Sequence, residues 1–195
     1  MYNEKSGSAD AVPISWYAIR TFNSQEQRVS KYLETCSLKN FIPMRRFRTD
    51  DEDGKTVWKS QPIVHNLIFV QKSLPKKEIE QIFKECPFPI KVYRREDEGK
   101  SWCEIADSEM IDLRMICDKS YCEPRFLETS EIKEGRPVRV IHGPLAGLRG
   151  KMVRKSKKYY IVKSFGSVSL EVTISRWCCI SDEENDTKEK ENQKK

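Results

Sequence analysis

Residues 136–154 read RPVRVIHGPLAGLRGKMVR, from Arg136 to Arg154. Val138, Val140 and Ile141 form a short apolar run suited to a strand. Gly143-Pro144, Gly147 and Gly150 then place four breakers in eight residues. Glycine tolerates positive φ and proline fixes φ near −65°, so the run predicts a shaped loop. Lys151–Arg154 returns to strand character. By itself the pattern fits a plain β-hairpin in a basic domain as well as anything more specialised. Downstream, Tyr159–Phe165, Val168–Val172 and Trp177–Ile180 read as three more short strands, separated by Gly166 and by Thr173–Arg176. Five strands in so short a span predict a small closed β-barrel. Cys178 and Cys179, adjacent in the last of them, are expected to point to opposite faces.

Charge singles out the same region. Residues 135–181 hold ten Lys/Arg against one acid, Glu171, a net +9, whereas the remaining residues carry a net −3 of the chain's +6. So basic a segment suits nucleic acid or an acidic protein.

Upstream the pattern alternates helix and strand. Trp16–Arg20 reads as a strand. Asn23 or Ser24 is placed to cap a helix running to about Ser37, with Glu26 and Gln27 positioned for a capping box. Val29, Leu33 and Cys36 form its buried stripe. Phe41–Phe47 and Val57–Gln61 read as strands around the acidic loop Asp50–Gly54, whose carboxylates are expected to pair with Arg45, Arg46 and Arg48. Ile63–Val70 reads as a central strand enclosing His65. Pro75 opens a second helix, ended by Cys86-Pro87. Ile90–Tyr93 and Trp102–Ile105 are short strands, and Asp107 or Ser108 caps a third helix. The predicted order, β-α-β-β-β-α-β-β-α, is a sheet with helices packed on it. The expected division is a disordered 1–13, a domain at 14–118, a linker at 119–132, a barrel at 133–181 and a disordered tail at 182–195. The fold class is α+β: an N-terminal α/β sandwich and a C-terminal barrel.

Composition excludes several classes. No apolar run is long enough for a membrane span and no segment resembles a signal peptide, which predicts a cytoplasmic protein, expected to be a monomer. Seven cysteines, irregularly spaced and without C-x-x-C, are expected as thiols rather than as a metal site or disulfides. Two histidines and no phosphate-binding loop argue against an enzyme and against a cofactor.

The V-R-V-I-H-G-P-L-A-G-L-R-G-K-M-V stretch resembles the KOW motif of ribosomal proteins and NusG-type transcription factors, with Val140, Gly143, Pro144, Gly147 and Gly150 at its defining positions. In that family the motif sits in an SH3-like β-barrel. The series W-Y-A-I-R-T, F-I-P-M, P-I-V-H-N-L-I-F-V and I-A-D-S-E-M resembles the NusG amino-terminal domain, so the likeness covers about residues 15–181. Housekeeping NusG proteins carry Phe-Pro-Gly-Tyr where this chain has Val64-His65-Asn66-Leu67. Gln25–Arg28 and Ile42–Met44 are closer to the specialised paralogues RfaH and UpxY, which act on particular long operons, the UpxY group on capsular polysaccharide operons.

The resemblance implies a transcription elongation and antitermination factor that suppresses pausing or termination. It implies an apolar hollow gripping the clamp helices of the largest RNA polymerase subunit, with Tyr17, Phe41, Val64 and Leu67 as candidate anchors. It also implies a contact with the non-template DNA strand from the first helix, through Arg20, Arg28, Lys31 and Tyr32. The barrel would meet RNA through Lys155, Lys157 and Lys158, or a small ribosomal protein or Rho through Phe165. Two other readings stay open: a general housekeeping NusG, or a KOW-type ribosome-associated RNA-binding protein.

Overall fold

The computed structural model describes residues 13–95, 101–118, 124–127, 131 and 134–182. The termini expected to be disordered lie outside them, apart from Pro13 and Asp182. At the centre of the first unit, β1 (Ser15–Arg20) pairs antiparallel with β5 (Leu67–Gln71). Both strands are apolar at consecutive positions, as a sheet buried on both faces requires. Successive side chains point to opposite faces, which sorts them into two cores. Tyr17, Ile19, Ile68 and Val70 pack with α1 (Glu26–Thr35) and α2 (Lys76–Glu85), whose Val29, Leu33, Ile79 and Phe83 are buried. Trp16, Ala18, Leu67 and Phe69 join Met110, Leu113 and Ile116 of α3 (Asp107–Asp118). The sheet is completed by β2 (Asn40–Phe41), β6 (Lys91–Val92) and β7 (Glu104–Ala106).

Several boundaries differ from expectation, each for a local reason. The predicted strand Phe41–Phe47 is broken at Pro43, which has no N–H to give a ladder. Its second half becomes β3 (Met44–Asp50), which pairs with β4 (Thr56–Pro62) in a separate two-stranded ribbon. The predicted strand at Ile63–Val70 begins only at Leu67, because Asn66 takes the left-handed conformation at φ 61. His65 is therefore in an exposed turn and not inside a strand. Asn23 and Ser24 do not cap α1: both lie at positive φ, and Gln25 occupies the cap position with no side-chain hydrogen bond.

The second unit is a six-stranded antiparallel sheet in the order β13-β9-β10-β11-β12-β8. It consists of β8 (Arg125–Leu127), β9 (Arg136–Val140), β10 (Arg149–Lys155), β11 (Lys158–Phe165), β12 (Val168–Ile174) and β13 (Cys179–Ser181). Two features differ from the sequence reading. The segment 119–132, expected as linker, supplies β8, which adds to the edge of β12. Arg176–Cys178 form a 3₁₀ turn, so Cys178 is not in a strand beside Cys179.

The two units touch. One apolar cluster holds Leu67, Ile105 and Leu113 from the first together with Phe165, Val168 and Leu170 from the second. The β11–β12 turn seats Gly166 against Cys103 and Ile105, where an added Cβ would lie 2.7 Å from the Cys103 sulfur. Lys163 pairs with Asp112 at 3.2 Å, and the Ser167 hydroxyl donates to the Arg94 carbonyl at 3.3 Å.

Candidate functional site

Alternation along β1 and β5 separates the four expected polymerase anchors. Tyr17 lies on the α1/α2 face with its ring edge against Trp102, centroids 4.9 Å apart, and its hydroxyl donates to Glu104 at 3.2 Å. Lys72 Nζ and the Ser15 hydroxyl bond the same carboxylate at 2.6 and 3.2 Å. Burial pushes the Glu104 pKa up, but Lys72 and the two hydroxyls outweigh it and hold the carboxyl below its ordinary range. Tyr17 is thus the centre of a structural network and shares no surface with Leu67. Leu67 is itself core, 1% exposed. Phe41 and Val64 remain half-buried at the margin of the α3-side cluster, with Ile63 beside them. The Arg114 guanidinium lies over both the Trp16 and Phe41 rings, at 5.0 and 5.6 Å. Ile63 and Arg114 were not anticipated. Ile63 read as strand core, and nothing local ties Arg114 to Phe41.

A second feature is built at the start of α1. The Asn66 turn docks there through three bonds. The Asn66 N–H donates to the buried Glu26 carboxylate, the Ser24 N–H to Asn66 Oδ1 at 2.9 Å, and the Thr21 N–H to the Asn66 carbonyl at 2.9 Å. Asparagine is among the few residues that tolerate positive φ. Beside this junction is an open cavity of about 500 Å³, lined by Gln25, Glu26, Arg28, Pro62 and His65 among others. Gln25 Oε1 is buried there without a partner among the described residues. His65 Nδ1 lies 3.9 Å from the Glu26 carboxylate. The site thus offers buried acceptors inside and an exposed arginine at its rim. Of its lining residues only Arg28 was expected from the sequence to contact nucleic acid.

Arg20 and Lys31 are exposed, and the Arg20 guanidinium sits over Phe22 at 5.6 Å. Tyr32 is not a free face for bases. It packs into the α1/α2 core and donates its hydroxyl to the Ile82 carbonyl at 3.0 Å.

In the second unit the glycine turn closes on itself. The Gly147 N–H donates to the Val140 carbonyl at 2.8 Å and the Val140 N–H to the Leu148 carbonyl at 2.9 Å. Gly143 and Gly147 lie at φ 84 and 96. The exposed cations there include Lys157 and Lys158. Lys155 is engaged, pairing with the buried Glu171 at 2.5 Å, and so departs from the free RNA-binding role expected of it. Phe165 is fully buried in the cluster between the units and is no exposed partner contact. Among the described residues no group of His, Cys, Asp or Glu could hold a metal ion, and six cysteines are free thiols. No described helix is long and apolar enough to cross a membrane.

No curated protein matches the chain. The family model described as transcription termination factor nusG matches residues 14–114, the unit that carries β1 to α3 and the Asn66 turn. That match spans just over half the sequence, and the chain belongs to the NusG family of transcription factors.

Proposed function

We propose that the protein binds the clamp helices of the largest RNA polymerase subunit and suppresses pausing or termination on a limited set of long operons, of the capsular polysaccharide type. Family membership already implies a transcription elongation factor that meets RNA polymerase. The observation that carries the finer reading is the half-buried apolar edge of Phe41, Ile63 and Val64, continuous with the core. A rigid sheet edge with apolar anchors suits a helix laid against it. Leu67 is the floor of that edge, while Tyr17 takes no part. Closing the clamp shifts a population away from the opened, paused state, and no bond chemistry is needed.

The α1 cavity supports a contact with the displaced non-template strand. Arg28 at the rim suits a phosphate, and the buried oxygens of Gln25 and Glu26 suit the N–H groups of an unstacked base. Recognition of one strand sequence would supply the operon specificity, in keeping with the Val64–Leu67 departure from Phe-Pro-Gly-Tyr. For the second unit, the self-closed glycine turn and its strand order support a KOW-type SH3-like barrel. Lys157 and Lys158 are its candidates for RNA. A small ribosomal protein or Rho is the alternative there, with Phe165 reachable only if the units part.

The test is co-purification with RNA polymerase, followed by elongation assays on pause-containing templates. Val64→Asp should abolish binding and pause suppression while circular dichroism stays unchanged. Arg28→Ala should reduce activity on target operons more than bare polymerase binding. Full binding by a folded Val64→Asp protein would remove the assignment of this edge, and equal effects on all operons would mark a general factor.

A further inference from the structure

Apart from Pro62 at its base, the β3–β4 ribbon takes no part in the sites described so far. Alternation puts Arg46 and Arg48 on one face, and the register sets Arg48 directly opposite Trp58. Both guanidiniums lie over the indole, Arg48 at 4.7 Å and Arg46 at 5.5 Å from its centroid, yet Trp58 remains 48% exposed. The acids of the hairpin tip do not neutralise these arginines, contrary to the sequence expectation. The Asp51 carboxylate accepts the Asp53 and Lys55 N–H groups at 3.1 and 2.7 Å, and Asp50 accepts the Thr56 hydroxyl at 3.0 Å. Among the described residues no carboxylate forms an ion pair with Arg46 or Arg48.

This arrangement gains little for the fold alone. A two-stranded ribbon is marginally stable in water, and like charges on neighbouring positions of one face repel. What it fits is a polyanion that also offers a flat ring: phosphates for the guanidiniums, and a π-face for the indole or for an arginine plane. A duplex keeps its bases stacked and cannot supply the ring. Position chooses the occupant. Pro62, the last residue of β4, lines the Arg28 cavity, so cavity and ribbon form one path. The acidic tip beyond Arg48 bars a strand from continuing past it.

We propose that the Arg46–Trp58–Arg48 face stacks an unpaired base of the displaced DNA strand and holds its flanking phosphates. The strand therefore runs from the Arg28 cavity onto the ribbon; this extent rests on the reading of that cavity as a DNA site.

The test uses the full chain and a fluorescein-labelled oligothymidylate, read by anisotropy. Trp58→Ala should weaken binding roughly tenfold, the scale of one lost base stack. Trp58→Phe should restore most of it, since any aromatic face stacks a base. Arg46→Gln and Arg48→Gln should each weaken binding and flatten its salt dependence. An oligonucleotide carrying 5-iododeoxyuridine should crosslink to Trp58. Unchanged affinity of the Trp58→Ala protein together with no crosslink at that residue would overturn the proposal. Arg28→Ala, measured in parallel, separates the two readings. Loss with Arg28→Ala alone leaves the cavity and removes the ribbon, whereas loss with Trp58→Ala alone does the reverse. Competition by polyglutamate as effective as by DNA, indifferent to Trp58→Ala, would make the ribbon a contact for an acidic protein and overturn the inference.

Discussion

Glu171 is the one acid among residues 135–181, and it is buried between Arg125 Nε at 2.6 Å and Lys155 Nζ at 2.5 Å. Burial alone would raise its pKa; the two cations outweigh that and hold it below its ordinary value of 4.5. A carboxyl whose folded pKa is depressed stabilises the fold above its unfolded pKa, and loses that contribution as pH falls through the folded value. Thermal melts followed by circular dichroism should therefore show stability falling below about pH 4.5. Glu171→Gln should lower stability at neutral pH by about 1–2 kcal/mol, because it leaves Lys155 without its carboxylate while the half-exposed Arg125 keeps Glu131 at 2.9 Å, and should shrink the acid limb. An unchanged melt and an unchanged acid limb would show that the pair contributes nothing. At the same scale, Leu67→Asp should unfold the first unit, since a buried carboxylate without a partner costs more than marginal stability allows, whereas Val64→Asp should leave it folded. The sequence makes Glu171 conspicuous as a lone acid but hides its partner. Arg125 comes from a stretch without periodicity, brought in by strand addition, and such pairing leaves no local mark. Leu67 and Val64 were equally indistinct, because a core and a marginal apolar residue look alike until alternation and burial are known.

Among the elements, the glycine turn between β9 and β10 was the most legible, since its constraint is local. Its glycines nevertheless answer to different physics. At Gly147 a Cβ would meet nothing within 4 Å, and the constraint is backbone conformation alone, φ 96. At Gly150 φ is ordinary, but a Cβ would lie 2.6 Å from the Val162 carbonyl oxygen of β11. Gly147→Ala should thus cost about 1 kcal/mol. Gly150→Ala must push two paired strands apart and should cost about 2–3 kcal/mol. Urea unfolding of the two variants decides the order, and a larger loss at Gly147 would contradict this account. The elements misread from sequence are those whose ends are set at a distance. The break at Pro43 was visible as a residue, but its consequence was not. The Ile63 N–H donates to the Pro43 carbonyl at 2.8 Å, next to the Met44–Pro62 pair, and closes the base of the β3–β4 ribbon. The N-terminus of α1 was misplaced because Asn23 and Ser24 follow the docked Asn66 turn rather than their own capping propensity.

At the scale of the molecule, the two-unit division is legible in composition and charge, while the contact between the units is not, because it joins residues far apart in sequence. We propose that the units are separate folding bodies, with protease cleavage between 118 and 124, ahead of β8, leaving both intact. What then holds the pieces together is decided by magnitude. The Asp112–Lys163 pair is partly exposed and worth at most about 1 kcal/mol, and salt screens it. The apolar seat of the β11–β12 turn on Cys103 and Ile105 carries more, at about 25 cal/mol per Å² buried, and salt does not weaken it. The cleaved fragments should therefore co-elute in gel filtration at low and at high salt. Gly166→Asn is the discriminating change. Asparagine tolerates the turn's φ of 60, so the hairpin survives, but its side chain meets the Cys103 sulfur and Ile105, which an added Cβ already approaches to 2.7 and 2.9 Å. The cleaved Gly166→Asn protein should separate into two folded fragments whose circular dichroism sums to that of the intact chain. Separation of the unsubstituted fragments on raising salt would show that the ion pair dominates. Unfolding of either fragment on its own would show that the contact is part of one cooperative core and that the chain is a single folding body.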